Sequence, residues 1–238
     1  MKGQKEMTDN KLLVDVETAN DTDCALTYDV STYMVDKDCK ILTQHAFVVR
    51  DVFNDMRDVV KQAYYASKIP EYIEDLQNHN REMRNFMALR RILLDEMAEY
   101  NCKTVVAYNC RFDRNALNNT LRYLTKSRFR WFFPYDTEFM CIWNMACQTI
   151  CQTEEYKTFA ELNNFISNFG RNYRATAKTV YAFLTNNPSF SEEHKGLEDV
   201  KIENEILKYC LQNYNDFPNG MGICPWCWQS VKREIDEC

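Results

Sequence analysis

The chain has 238 residues, 45% hydrophobic and 27% charged, with a formal net charge of −6. These proportions fit one globular domain of substantial size with decoration, and five Gly and five Pro leave little room for long disordered linkers. No apolar run is long enough to cross a bilayer, and the negative balance argues against holding duplex nucleic acid by bulk positive charge.

The polar stretch 1–10 lacks the apolar core of an export signal, so a reducing, cytoplasmic setting is expected. Most of the eleven cysteines are then expected to be free thiols.

Residues 11–17 (KLLVDVE) form a short apolar run ending in acids and read as a buried strand. Residues 25–35 and 41–49 carry β-branched and aromatic side chains around the polar turn 36–38, which predicts a hairpin. The segment 51–79 reads as long and helical. In 81–100, Phe86, Leu89, Leu93, Met97 and Tyr100 recur every three or four residues and predict a helix with one apolar face. A strand over 103–109, a helix over 112–125 and a short strand over 131–135 follow. The stretch 138–211 reads as mostly helical. This order predicts an α/β domain with a mixed sheet over 1–212, and an appendage over 213–238, where Pro, Gly and Cys accumulate.

Three groups of residues carry chemistry. Asp15 and Glu17 sit two apart at a strand end, so they project from the same face. Paired like charges are costly unless neutralised, and divalent cations with oxygen ligands do this. The alternative is a pair of solvated acids on an exposed edge. Asp113 stands where an apolar strand turns into an amphipathic helix, a common place for α/β sites, although an acid there also serves as a helix cap. His194 and Asp199 are five apart. One continuous helix would set them about 140° from each other. They converge only if His194 lies in the loop before a helix and Asp199 in its first turns. Pro188 and Ser189 break the chain ahead of this segment. Gly196 is expected to supply backbone freedom, and apolar periodicity resumes at Val200, Ile202, Ile206 and Leu207.

The ordered set Asp15-Val16-Glu17-Thr18, Asn109-Cys110-Arg111-Phe112-Asp113 and His194-x-x-x-x-Asp199 resembles the DEDDh family of 3′-to-5′ exonucleases (DnaQ-like, RNase H-like superfamily). Asp136-Thr137 and the segment 190–203 (FSEEHKGLEDVKIE) also look like family features. The resemblance spans roughly residues 12–211 and leaves the 51–79 segment without a counterpart. It implies a five-stranded mixed sheet flanked by helices. It also implies Asp15, Glu17, Asp113 and Asp199 as ligands of two Mg²⁺ or Mn²⁺ ions, and His194 as the general base. Thr18 and Asn109 would help seat a terminal nucleotide. The implied partner is the 3′ end of single-stranded DNA or RNA, and many relatives are homodimers. A catalytically silent nucleic-acid-binding, polymerase-associated or CRISPR-associated partner with the same fold is the alternative.

Basic residues alternate with aromatic ones in two places, a pattern suited to single-stranded nucleic acid. Arg122, Lys126, Arg128 and Arg130 surround Tyr123, Phe129 and Trp131; here a solvated helix face over core aromatics is the favoured reading. Arg171, Arg174 and Lys178 surround Tyr173 and are read as substrate contacts. In the tail, Cys224-Pro-Trp-Cys227 with Cys210 and Cys238 offers a structural zinc site, weakened by the lack of a second C-x-x-C.

Overall fold

A computed structural model describes residues 9–192, 194–214 and 231–233. The first three strands are β1 (Lys11–Ala19), β2 (Leu26–Val35) and β3 (Ile41–Val49). The hairpin between β2 and β3 closes on Asp36, whose carboxylate accepts the amides of Asp38 and Lys40, both at 2.9 Å. Short helices α1 (Arg50–Phe53), α2 (Arg57–Val60) and α3 (Ile69–Gln77) follow, then β4 (Glu82–Arg84) and α4 (Phe86–Glu99). Next come β5 (Thr104–Ala107), α5 (Cys110–Thr125), β6 (Glu138–Cys141), α6 (Ile142–Gln148) and α7 (Glu154–Leu162). The chain then runs through β7 (Asn172–Tyr173), α8 (Ala177–Leu184), α9 (Gly196–Asn213) and β8 (Val231–Lys232).

The main sheet has six strands in the order β4-β3-β2-β1-β5-β6. It is mixed: β1–β2 and β2–β3 are antiparallel, while β1–β5, β5–β6 and β3–β4 are parallel. Helices cover both faces, and the alternation of β1 shows how. Leu12, Val14 and Val16 join one apolar cluster with α4 and α5, whereas Leu13 joins another with α6, α8 and α9. Asp15 and Glu17 share the parity of Leu13, so they project on the α9 side. Every residue of the central strand β2 is buried, as expected for a strand covered on both faces.

The structure departs from the sequence reading in two places. The sheet has six strands rather than five, because Glu82–Arg84 adds an edge strand ahead of α4. Residues 131–135 are not a strand; the strand beside β5 is Glu138–Cys141. The apolar pair Phe132 and Phe133 is buried in a loop held by side chains: Asn118 accepts the Phe132 amide at 2.8 Å, and Arg90 donates to the Phe132 carbonyl at 2.6 Å. The 51–79 segment is helical as read, built from several short pieces.

Beyond the main sheet, β7 and β8 pair antiparallel, with Tyr173 opposite Val231. Val231 is buried in the cluster that holds Val200 and Ile206 of α9.

Candidate active site

The carboxyl end of β1 brings the first two acids. Its pairing with β2 shifts register between Glu17 and Thr18, so a bulge follows the second acid and ends the regular alternation there. On the far side of the sheet, α5 opens at Asn109, which adopts the left-handed conformation (φ 65°, ψ 45°) and accepts the Phe112 amide at 2.7 Å. That turn places Asp113 in the first turn of α5, buried, where its Oδ1 accepts the Val16 amide at 3.2 Å. The peptide between Asp15 and Glu17 is thereby tied to the third acid.

The fourth comes from α9. Lys195 precedes the helix, His194 lies in the loop before it, and Asp199 falls in its first turn. Oxygen atoms of Asp15, Glu17 and Asp199 all lie within 4.8 Å of one another. Asp15 Oδ2 and Asp199 Oδ1 are buried and have no hydrogen-bond donor. Three oxygen donors converging with unsatisfied buried atoms fit a hard divalent cation of the Mg²⁺ or Mn²⁺ kind.

One further acid escaped the sequence reading. Glu203 sits four residues after Asp199, on the same face of α9, and is buried. Its charge acts on Asp15, and Asp113 acts on it in turn. The i, i+4 spacing from Asp199 was the available signal.

The electrostatics follow from crowding. Burial, then Glu203 and Asp113, pushes the Asp15 carboxyl well above its ordinary range. Burial raises Glu17 to about 9, with Asp29 and Asp199 adding to it. Asp113 is raised by burial to about 8 despite the Val16 amide, and Asp199 by burial and Glu192 to about 7. Without a cation this cluster therefore holds protons at neutral pH.

The start of α9 is fixed by a second, buried network that no motif announced. Asp29 of β2 is fully buried, and Arg81 donates to its Oδ1 at 2.6 Å. The Tyr72 hydroxyl of α3 donates to Asp29 Oδ2 at 2.9 Å, and the Gly196 amide donates to the same oxygen at 3.3 Å. Burial pushes the Asp29 carboxyl up, whereas Arg81, Tyr72 and Gly196 pull it down. Asp29 in turn holds the Arg81 guanidinium charged. With three donors around it and the guanidinium so close, the ionised pair is the state the geometry fits.

Gly196 is glycine for space rather than for φ. A Cβ there would stand 2.8 Å from Ser31 Oγ and 3.0 Å from Asp29 Oδ2. The expectation of special backbone freedom at this glycine is corrected: its φ is not positive.

His194 itself has φ 53°, and its ring stacks on Tyr65, with centroids 4.4 Å apart at 14°. Burial, then Lys178 and Lys68, lowers its pKa, so the imidazole is neutral at neutral pH. The 51–79 segment thus meets the candidate site twice, through Tyr65 on His194 and through Tyr72 on Asp29.

The remaining sequence candidates are distributed unevenly. Thr18 follows the bulge of β1. Lys178 on α8 lies close enough to His194 and Glu192 to influence both. Arg174 is engaged locally, donating to the Ile166 carbonyl at 2.7 Å and Asn168 Oδ1 at 3.3 Å, and the Arg171 carbonyl accepts the Arg233 amide at 3.1 Å. Tyr173 between them is buried, so its ring is not offered for stacking. Cys210 is a free thiol in the core near Thr149, raised by burial to about 12; Cys224, Cys227 and Cys238 lie outside the described residues. Among the described residues, no helix is long and apolar enough to cross a membrane.

No family model and no curated protein matches this sequence. Solved structures do. The zinc-ion-bound form of the E. coli exonuclease I–ssDNA complex superposes with a TM-score of 0.52 at 12% identity, over 88% of this chain and 42% of that one. E. coli exonuclease I with a 5cy-dT13 oligonucleotide gives 0.53 at 12% identity, over 87% and 41%. The chain spans less than half the length of these neighbours. A six-stranded mixed sheet between helices superposes over most of this chain on the matched part of exonuclease I, so the two share that fold.

Proposed function

We propose that the chain is a metal-dependent nuclease that removes nucleotides from the 3′ end of single-stranded DNA or RNA. The observation that carries the reading is the meeting of Asp15, Glu17 and Asp199 oxygens within 4.8 Å, with Asp113 bonded to the peptide between the first two. The solved neighbours lend support, being exonuclease I bound to single-stranded DNA.

In this reading Asp15, Glu17, Asp113 and Asp199 would hold two Mg²⁺ or Mn²⁺ ions. When bound, such ions supply an activated water and stabilise the leaving 3′ oxygen. His194 is the general base: its lowered pKa keeps the imidazole free to accept a proton from water. Thr18 and Asn109 border the acids and help seat the terminal nucleotide. Lys178, next to His194, offers charge to a phosphate, with Arg171 and Arg174 as weaker contributors.

The test is incubation of labelled single-stranded DNA, single-stranded RNA and duplexes with Mg²⁺ or with EDTA, resolving products by length. Stepwise shortening from the 3′ end that EDTA stops, and that Asp15→Asn abolishes in a folded protein, is the expected result. Full activity of Asp15→Asn would end the proposal, and binding without turnover would favour the silent alternative. Two lesser proposals stand apart from the site. Structural zinc at Cys210, Cys224, Cys227 and Cys238 is tested by metal analysis of the purified chain, and a homodimer by light scattering.

A further inference from the structure

Residues 114–130 contain five cations (Arg114, Arg122, Lys126, Arg128 and Arg130) and no carboxylate, in a chain whose net charge is −6. Among the described residues none of the five makes an ion pair with an acid. They meet aromatic rings instead. Arg122 lies 4.6 Å and Arg114 5.5 Å from the Trp131 ring centre, and Lys126 lies 4.2 Å from that of Tyr123. Arg114 also stands 5.0 Å from the Phe139 ring centre. Apolar rings are left in water alongside: Phe129 is 89% exposed, Tyr135 98% and Trp131 47%.

The loop that carries these rings is held in place. Arg90 donates to the carbonyls of Trp131 and Phe132, Arg122 donates to the Arg130 carbonyl at 3.2 Å, and Asn118 accepts the Phe132 amide. Between the loop and α5 lies a cavity of about 270 Å³ walled by Trp131, Phe133, Tyr135 and Phe139, with Arg114 beside them. Arg114 directly follows Asp113 on α5, one residue and about 100° around the helix from it, and turns toward Trp131 and Phe139. The surface runs along α5 to Lys126, twelve residues and about 18 Å away.

We propose that this surface binds single-stranded nucleic acid, and that it carries the part of the strand leading away from the candidate active site. The aromatic cavity takes a nucleobase by stacking, and Arg122, Lys126, Arg128 and Arg130 take phosphates. Exposed rings interleaved with cations that make no ion pair with an acid suit this partner better than an acidic protein or a lipid surface, because base stacking uses the rings and the backbone uses the charges. The favoured reading of this cluster as a solvated helix face is thereby reversed on the exposure of its rings. The inference builds on the nuclease reading only in naming where the strand goes; the binding itself does not depend on hydrolysis.

The test measures affinity by fluorescence polarisation in EDTA, using the full chain, a labelled single-stranded dodecamer and a labelled trinucleotide. Variants are Phe129→Ala with Tyr135→Ala, and separately Arg128→Glu, all at exposed positions. The expected result is a loss of about tenfold for the dodecamer in the ring variant, with the trinucleotide unchanged. Arg128→Glu should flatten the salt dependence of dodecamer binding by about one unit of log–log slope. Unchanged dodecamer affinity, or an equal loss for both lengths, overturns the proposal, as does variant-sensitive binding to anionic phospholipid vesicles in place of the dodecamer. Ring-dependent dodecamer binding by a chain that hydrolyses nothing with Mg²⁺ would refute the nuclease reading and leave this surface standing.

Discussion

Replacing Arg81 with Met tests the buried network that fixes the start of α9. The substitution removes the guanidinium from Asp29, Asp75 and Glu198 and leaves Asp29, fully buried, with only Tyr72 and the Gly196 amide as donors. Removing one partner of a buried pair costs about 3–5 kcal/mol, because the remaining charge has lost its counterion and cannot reach water. In a chain of this size 1 kcal/mol corresponds to about 2–4 °C in melting temperature, so the expected drop is about 6–20 °C. Urea unfolding at constant m-value gives the free energy directly. Asp29→Asn in the Arg81→Met background should recover a large part of the loss, since the amide needs no counterion and still accepts from Tyr72. A loss below about 1 kcal/mol for Arg81→Met, or no recovery in the double variant, would refute the picture of an ionised pair holding α3, β2 and α9 together.

The acids of the site make a prediction about pH. Their folded pKa values are raised, so the metal-free protein binds more protons folded than unfolded. Their stabilising contribution is complete near pH 4 and is lost as pH rises through about 7 for Asp199, 8 for Asp113 and 9 for Glu17. Differential scanning fluorimetry in EDTA should show this decline, and Mn²⁺ should raise the midpoint more at pH 8 than at pH 6; an equal rise would contradict it. Asp15→Asn should abolish the proposed nuclease activity while stabilising the metal-free chain by about 0.5–2 kcal/mol, since the amide is neutral without the proton uptake that folding imposes on Asp15. Gly196→Ala should cost about 1–3 kcal/mol by overpacking against Ser31, and Ser31→Ala should return part of that in chemical denaturation. Tyr65→Ala should open the His194 ring to water and raise its pKa, moving the acid limb of the pH–rate profile to higher pH while KM changes little.

Much of the candidate site's geometry was legible because it rests on periodicity. Asp15 and Glu17 share a face by strand alternation, and the spacing of His194 and Asp199 required a loop before a helix, which is where α9 begins. What stayed hidden depended on partners far apart in sequence. Asp29 and Arg81 look like ordinary surface charges until β2 is seen buried on both faces. Residues 131–135 mimicked a strand because Phe132 and Phe133 are buried, yet their backbone groups bond to Asn118 and Arg90 rather than to a ladder. The edge strand β4 has three exposed residues, Glu, Met and Arg, and carries no alternation to read.

The pairing of β7 with β8 has a practical consequence for protein engineering. Val231 seals an apolar cluster shared with α9, the helix that delivers Asp199 and Glu203. Trimming the gene after residue 212, where the helical pattern stops, would strip that plug and wet the back of the helix. A shortened clone meant to preserve the carboxylate geometry should therefore keep the chain through Arg233.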